Sequence, residues 1–455
     1  MKLLSFKEWA VYQGAFIALW TDETHAYALY EPGELVAVAL QAGTYPALPY
    51  PGAQWFQRLA KDLRGHKAIG FETIETAIEQ FRAPDGRGPW PEFVGPDQEG
   101  VDQLALGPVY GDVTEPAHFR FFLAGERILK LQTRRGYAYR DVLGLIRDKS
   151  PRQAARYAAR VSGDSTVAHT VAFAHAAEIA LGLEIPQRAH FLRAIMVEIE
   201  RLANHCCGLG RIAKIAGFSA LEARLMLLRE YLASAAQMTF GHRLMMDVVV
   251  PGGVAKDIAE AGVDWLRSVL TKLEAELPDL KQIFTSTAGL QSQTEGVGVI
   301  LKEQAQAYNA GGYVGRGAGV ACDARAVPGY SPYQSIQEPI PVEQNGDVAA
   351  RIKVRLAEMS ASVGFIQKFI ESMPSGPVAI ALPVEAGAGM GVCESFRGPV
   401  WYWLKIEHGH IQDVFMADAS PVHFKLLEDA AVGTKLADFP MFEACIHPSV
   451  AAGDG

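Results

Sequence analysis

RAHFLRAIMVEIERL (Arg188 to Leu202) sets Phe191, Leu192, Ile195, Ile199 and Leu202 at three- and four-residue steps. That spacing gathers apolar side chains on one face of an α-helix. Leu225, Leu228, Leu232 and Ala235 repeat the pattern behind Ser219-x-x-Glu222, which reads as a capping box. Leu266, Leu270, Leu273 and Leu277 make a third stripe, with Pro278 straining its end. Ile352, Leu356, Met359, Val363, Ile366 and Ile370 make a fourth. Stripes this wide need one another as partners, so Val142 to Met373 reads as a helical bundle.

On either side of the bundle the pattern turns to β. His25 to Leu29 and Leu35 to Leu40 read as strands split by Glu31-Pro32-Gly33, followed by a helix carrying Trp55, Phe56, Leu59 and Leu63. Ala83 to Gly107 is rich in Gly and Pro and reads as a linker. His118 to Leu123 and Arg127 to Gln132 form a strand pair hinged at Ala124-Gly125-Glu126. Near the end, Val400 to Glu407 and His410 to Met416 flank a two-residue hairpin turn at His408-Gly409, with Trp401 and Trp403 on one face as core or interface. The tail after Phe439 reads as an irregular strand or plug. The fold class is therefore α+β: a small N-terminal α/β domain (residues 1–85), a linker (86–106), and a large mainly helical bundle domain with flanking β-strands (107–455).

Bulk properties narrow the function. Five cysteines stand in 455 residues, none in a C-x-x-C pair, so no cysteine-ligated metal centre is expected in this chain. The net charge of −9 argues against a nucleic-acid partner. No apolar run reaches the length of a membrane span, and the start lacks a long apolar leader segment, so a cytoplasmic protein is expected, touching a membrane only through partners.

Gly107-Pro108-Val109-Tyr110-Gly111-Asp112-Val113-Thr114-Glu115-Pro116-Ala117-His118-Phe119-Arg120-Phe121 resembles the signature that opens the large subunit of energy-converting nickel–iron hydrogenases and the related D-type subunit of NADH–quinone oxidoreductase. Ordered matches follow. They include Arg160-Val161-Ser162-Gly163-Asp164-Ser165 with Ala168-His169, Pro186-x-Arg188, Glu200-Arg201-Leu202-Ala203-Asn204-His205, and Phe240-Gly241-His242-Arg243. Gly315-Arg316-x-x-Gly319, Gly346-Asp347-Val348-x-x-Arg351 and Glu394-x-x-Arg397-Gly398 complete the series. Tyr45-Pro46-Ala47-Leu48 and the Trp55-Phe56 helix look like the end of the C-type subunit of the same oxidoreductases, fused upstream as in formate-hydrogenlyase-type large subunits.

The departures from that pattern bear most on function. Where the hydrogenases carry R-x-C-G-x-C with two nickel ligands, this chain has Ser162 and Ser165. Serine hydroxyls are poor ligands for a soft site that selects thiolate. The second ligand pair is also missing near the C-terminus, where Cys445 stands alone. The resemblance thus implies no nickel, no metal and no cofactor held by this chain. It implies an iron–sulfur small subunit and integral membrane subunits as partners, at the inner face of a membrane, with a quinone or similar acceptor at the interface.

Tyr110 takes the place of a histidine that lines the quinone pocket of the respiratory relatives, and His118 fits the second histidine of that turn. Ser162, Asp164, Ser165 and His169 lie where the relatives keep their cavity, and Gly163 stands near their quinone-binding tyrosine. Arg188, Arg201, His205 and Arg243 are expected to form a supporting polar network, with Glu198, Glu200 or Asp247 as partners. Two functions follow. One is a component of a respiratory or energy-converting oxidoreductase complex, whether or not catalytic by itself, with a cavity for an acceptor. The other is a docking scaffold whose cavity is filled. A hydrogenase with unusual ligands is the remote third.

Overall fold

The computed structural model describes residues 1–71, 93–109, 115–135, 137, 139–335 and 339–453. Tyr110 and residues 83–92 of the expected linker lie outside them. Residues 102–106 of that linker are not loop: Asp102–Leu106 pairs antiparallel with His118–Ala124, which pairs in turn with Arg127–Arg134.

The N-terminal unit is a four-stranded sheet in the order Lys2–Leu4, Glu34–Ala39, His25–Tyr30, Phe16–Thr21, the first pair parallel and the others antiparallel. Helix Ala53–Arg64 buries Trp55, Phe56 and Leu59. The sheet is closed by a second one, Gly387–Glu394, Pro399–Glu407 and His410–Ala417, all antiparallel. Trp20 stacks on Phe415 at 4.4 Å and meets Trp403 at 5.8 Å, so the paired tryptophans Trp401 and Trp403 are core. The hairpin turn sits at His408-Gly409 as read, with both residues at positive φ, 52° and 75°.

The bundle supplies the rest of the core. Its long helices are Gln187–Ile215, Ser219–Phe240, Glu260–Ser286 and Val348–Ser372. Each sequence stripe points inward: Leu192, Ile195, Ile199, Leu225, Leu232, Leu266, Leu270, Met359 and Ile366 share one core. Three local expectations are corrected. Ser219 is already helical and caps nothing with its side chain, because Phe218 occupies the N-cap position. Pro278 does not end its helix, which runs on to Ser286, since Leu280 and Phe284 beyond it are buried and hold the last two turns in place. The tail folds as a helix, Phe439–Ile446. Pro440 sits in its first turn, where a missing N–H costs nothing, and six of its eight residues are buried.

One further helix positions the site. Thr166–Ala180 is apolar on all sides and almost wholly buried, as a helix surrounded by protein must be. It lies directly on strand Gly387–Glu394. The alternate residues Gly387, Gly389 and Gly391 make this approach possible, because a Cβ on any of them would sit 2.1–2.3 Å from backbone atoms of Ala180, Ala176 or Ala172.

Candidate functional site

The turn Ser162–Ser165 joins helix Pro151–Ala158 to helix Thr166–Ala180. A helix start leaves backbone N–H groups without partners. Here another helix supplies the acceptor: Glu200 takes hydrogen bonds from Val167 N (2.6 Å) and Ala168 N (3.0 Å). Asn204, one turn further on, donates to the carbonyls of Asp164 (2.5 Å) and Glu200 (2.8 Å). The turn is thereby clamped to the bundle.

Asp164 is the hub of the turn. Ser162 donates to it at 2.6 Å and Ser165 at 3.3 Å. Arg397 reaches it with both terminal nitrogens, one at 3.0 Å from Oδ1, and donates Nε to the His447 carbonyl at 2.7 Å. Burial opposes ionisation of Asp164, yet the Arg397 guanidinium outweighs it and holds the carboxyl well below its ordinary range. Ser162 also meets Ser449 across 3.2 Å, and Ser449 donates to Glu115 at 3.0 and 3.1 Å. Both serines of the turn are buried. The donors around the turn are hydroxyl and carboxylate oxygens, while the Cys445 thiol is bonded by Arg351 Nε at 3.2 Å. This set does not fit a thiolate-bound nickel–iron centre. Among the described residues no group of three or more His, Cys, Asp or Glu is arranged to hold a metal ion.

The outer side of the same turn is open. A cavity of about 220 Å³ borders Gly163, Asp164, Glu200, Asn204 and Arg243, with Ile199, Leu232 and Met245 among its apolar walls. A Cβ at Gly163 would meet nothing within 4 Å. Asp164 keeps 28% of its side chain exposed there. Glu200 is nearly buried, and burial raises its carboxyl to about 8 against the pull of its two backbone donors.

The other expected residues are placed as follows. His169 is buried behind the turn, with Tyr402 OH at 3.2 Å and Asp418 at 3.6 Å. His118 belongs to the three-stranded sheet, where it packs on Phe93 at 4.8 Å; burial lowers its pKa, helped by Arg120 and Arg134. Its described contacts do not include the Asp164 cluster. Arg201 and His205 do share a network, through Glu198 (3.2 Å) and Glu358 (2.8 Å). Arg188 and Arg243 do not join it. Arg188 forks onto Asp257 at the bundle edge, and Arg243 rims the cavity while paired to the exposed Glu230. Asp247, expected as a partner, is taken by Arg160. Glu200, expected as an arginine partner, instead accepts the Val167 and Ala168 N–H groups, and the residues that sequence reasoning left out of the site are Arg397 and Ser449. Arg397 stands inside the Glu394-x-x-Arg397-Gly398 motif, so a signal was present. Ser449 has none, because its partners lie 287 and 334 residues away.

Residues 140–209 match the nickel-dependent hydrogenase family, and residues 216–387 match the 49 kDa subunit of respiratory-chain NADH dehydrogenase. The chain is 28% identical to the carbon monoxide-induced hydrogenase of Rhodospirillum rubrum over 76% of its length and 97% of that protein. It is 26% identical to formate hydrogenlyase subunit 5 of Escherichia coli over 79% of its length and 68% of that protein. To the D-type subunit of NADH-quinone oxidoreductase from Dehalococcoides mccartyi it is 28% identical over 74% of its length and 93% of that protein. A chain from the structure of the archaeal membrane-bound sulfane sulfur reductase, a respiratory membrane complex, shares the fold with a TM-score of 0.74 over 79% of this chain and all of that one, at 22% identity. Residues 140–209 and 216–387 thus carry domains of the nickel-dependent hydrogenase family and of the 49 kDa subunit family of respiratory-chain NADH dehydrogenase. Among the described residues, no helix is long and apolar enough to cross a membrane.

Proposed function

We propose that this chain is the large subunit of a membrane-associated respiratory or energy-converting oxidoreductase complex. It works without nickel, beside an iron–sulfur small subunit, on the cytoplasmic side of a membrane reached through its partners. The cavity between Gly163, Glu200 and Arg243 receives a quinone or a similar electron acceptor. One observation supports this reading: Ser162 and Ser165, which the resemblance aligns with the hydrogenase thiolates, are bonded to an Asp164–Arg397 ion pair, while the adjoining Gly163 side remains open. Apolar walls with a few convergent polar groups suit a flat acceptor headgroup. The chain's own contribution is shape and hydrogen bonding; the electrons arrive from a partner's cluster.

Purification through a tagged chain tests the assembly. Recovery of an iron–sulfur subunit and membrane subunits, with quinone-dependent activity, is the expected result. A stable monomer without partners contradicts it.

The docking-scaffold reading has its own support, since Ser162 and Ser165 are buried and hydrogen bonded. It differs in one outcome: filling the cavity from Gly163 would then leave the activity of the complex untouched.

A further inference from the structure

Below the Asp164 turn, three guanidinium groups and four carboxylates form one continuous buried cluster. Arg201, Arg316 and Arg325 supply the cations, and Glu198, Asp323, Glu358 and Glu394 the acids. Every one of them is buried. The cluster touches the cavity region through the backbone. Arg201, one residue after Glu200, donates to the carbonyls of Glu394 (2.6 Å) and Ser395 (3.0 Å), just before Arg397.

The four acids are not served equally. Glu198 accepts from Arg201 (3.2 Å), Arg325 (3.0 Å), Tyr333 (2.6 Å) and Ser362 (2.6 Å). Glu358 takes two nitrogens of Arg316 (2.9 and 2.6 Å) and His205 (2.8 Å). Asp323 takes the Arg325 backbone N–H (2.9 Å) and its guanidinium (2.7 Å). Among the described residues Glu394 has only Arg316 Nη1 and the Ala324 N–H, each at 3.1 Å.

We propose that Glu394 is the acid–base group of this cluster, taking up and releasing a proton near neutral pH and exchanging it when charge at the Asp164 cavity changes. Ionising all four acids against three arginines would leave an uncompensated charge in a buried site, which proteins avoid by shifting a proton onto one group. The acid with the fewest hydrogen-bond donors is where that proton sits. Burial, then Asp323, raises Glu394 to about 7, whereas burial keeps His205 down at about 4, so the ring does not take the proton instead. The other groups facing Glu394 add no charge near that pH. Burial lifts the Cys393 thiol to about 12 and carries Cys322 and Tyr330 upward too. Glu31 lies beyond Cys322, bonded to its thiol at 3.1 Å. Arg355 stands on the far side of His205, bonded to the Cys445 carbonyl at 2.9 Å. Exchange with the cavity rests on the acceptor reading above; the proton itself does not.

Infrared difference spectra of the purified full chain test this, titrated between about pH 5 and pH 9 around the values at which displaced carboxyls ionise. The expected result is a protonated-carboxyl stretch that shifts in D2O and fades with a midpoint near neutrality. Glu200, itself raised to about 8, contributes a second band, so the test is read in the Glu200→Gln background, where the remaining near-neutral band should be lost on adding Glu394→Gln. Glu394→Asp provides a second variant, in which the stretch should move in frequency and midpoint. A near-neutral stretch unchanged in both Glu394 variants, or missing from the parent protein, overturns the proposal. The spectra need neither acceptor nor partner, so failure of the acceptor reading would leave this stretch in place.

Discussion

Asp164 and Arg397, 233 residues apart in the chain, form an ion pair at the turn Ser162–Ser165. Arg397 is buried, while Asp164 keeps 28% of its side chain toward the open cavity. The pair seals the inner side of the turn and leaves the outer side available.

Removing one partner should therefore be costly. Asp164→Leu strands a buried guanidinium, and a loss of about 3 kcal/mol is expected, at the low end for buried pairs because of the partial exposure. Replacing both, Asp164→Leu with Arg397→Met, should recover most of it. Denaturant unfolding of the two single variants and the double variant gives the coupling directly.

The contact between helix Thr166–Ala180 and strand Gly387–Glu394 gives a sharper structural test. A Cβ at Gly389 would lie 2.3 Å from Ala176 O and Ala180 N. Gly389→Ala should push helix and strand apart and cost about 2–3 kcal/mol or abolish folding. Gly163→Ala, facing open space, should leave the melting temperature within about 2 °C.

Those two glycines show how legible the molecule was. Apolar periodicity located the four long helices because burial on one face is a local signal. The Gly-x-Gly-x-Gly run could be counted but not assigned, since its partner is a helix some 210 residues earlier. The tail helix escaped for a related reason. With Phe439, Met441, Phe442, Ala444, Cys445 and Ile446 all buried, it has no polar face to set a period. At the site, the absence of thiolates was visible in Ser162 and Ser165, but the group that replaced them was not. Arg397 follows strand Gly387–Glu394 and reaches the turn through the packing of that strand on helix Thr166–Ala180.

Stability should fall with rising pH in part because of Glu200. Its folded value of about 8 lies above that of an unfolded glutamate, near 4.3. Between those limits the native state binds more protons than the unfolded state, so raising the pH favours unfolding. Above about 8 the contribution levels off. Glu200→Gln removes the titration, and its unfolding free energy should vary less with pH across that window than the parent protein's. An identical slope would mean that Glu200 is ionised throughout.

The acceptor cavity is tested most directly by filling it. Quinone reduction should be measured in the complex purified through the tagged chain, with Gly163 intact and with Gly163→Phe, each checked for the same subunits and iron content. A phenyl ring at Gly163 enters the space bounded by Glu200 and Arg243, so turnover is expected to fall at least about tenfold, equivalent to about 1.4 kcal/mol, with assembly unchanged. Full turnover in Gly163→Phe would contradict an acceptor at this site and leave the chain a docking scaffold.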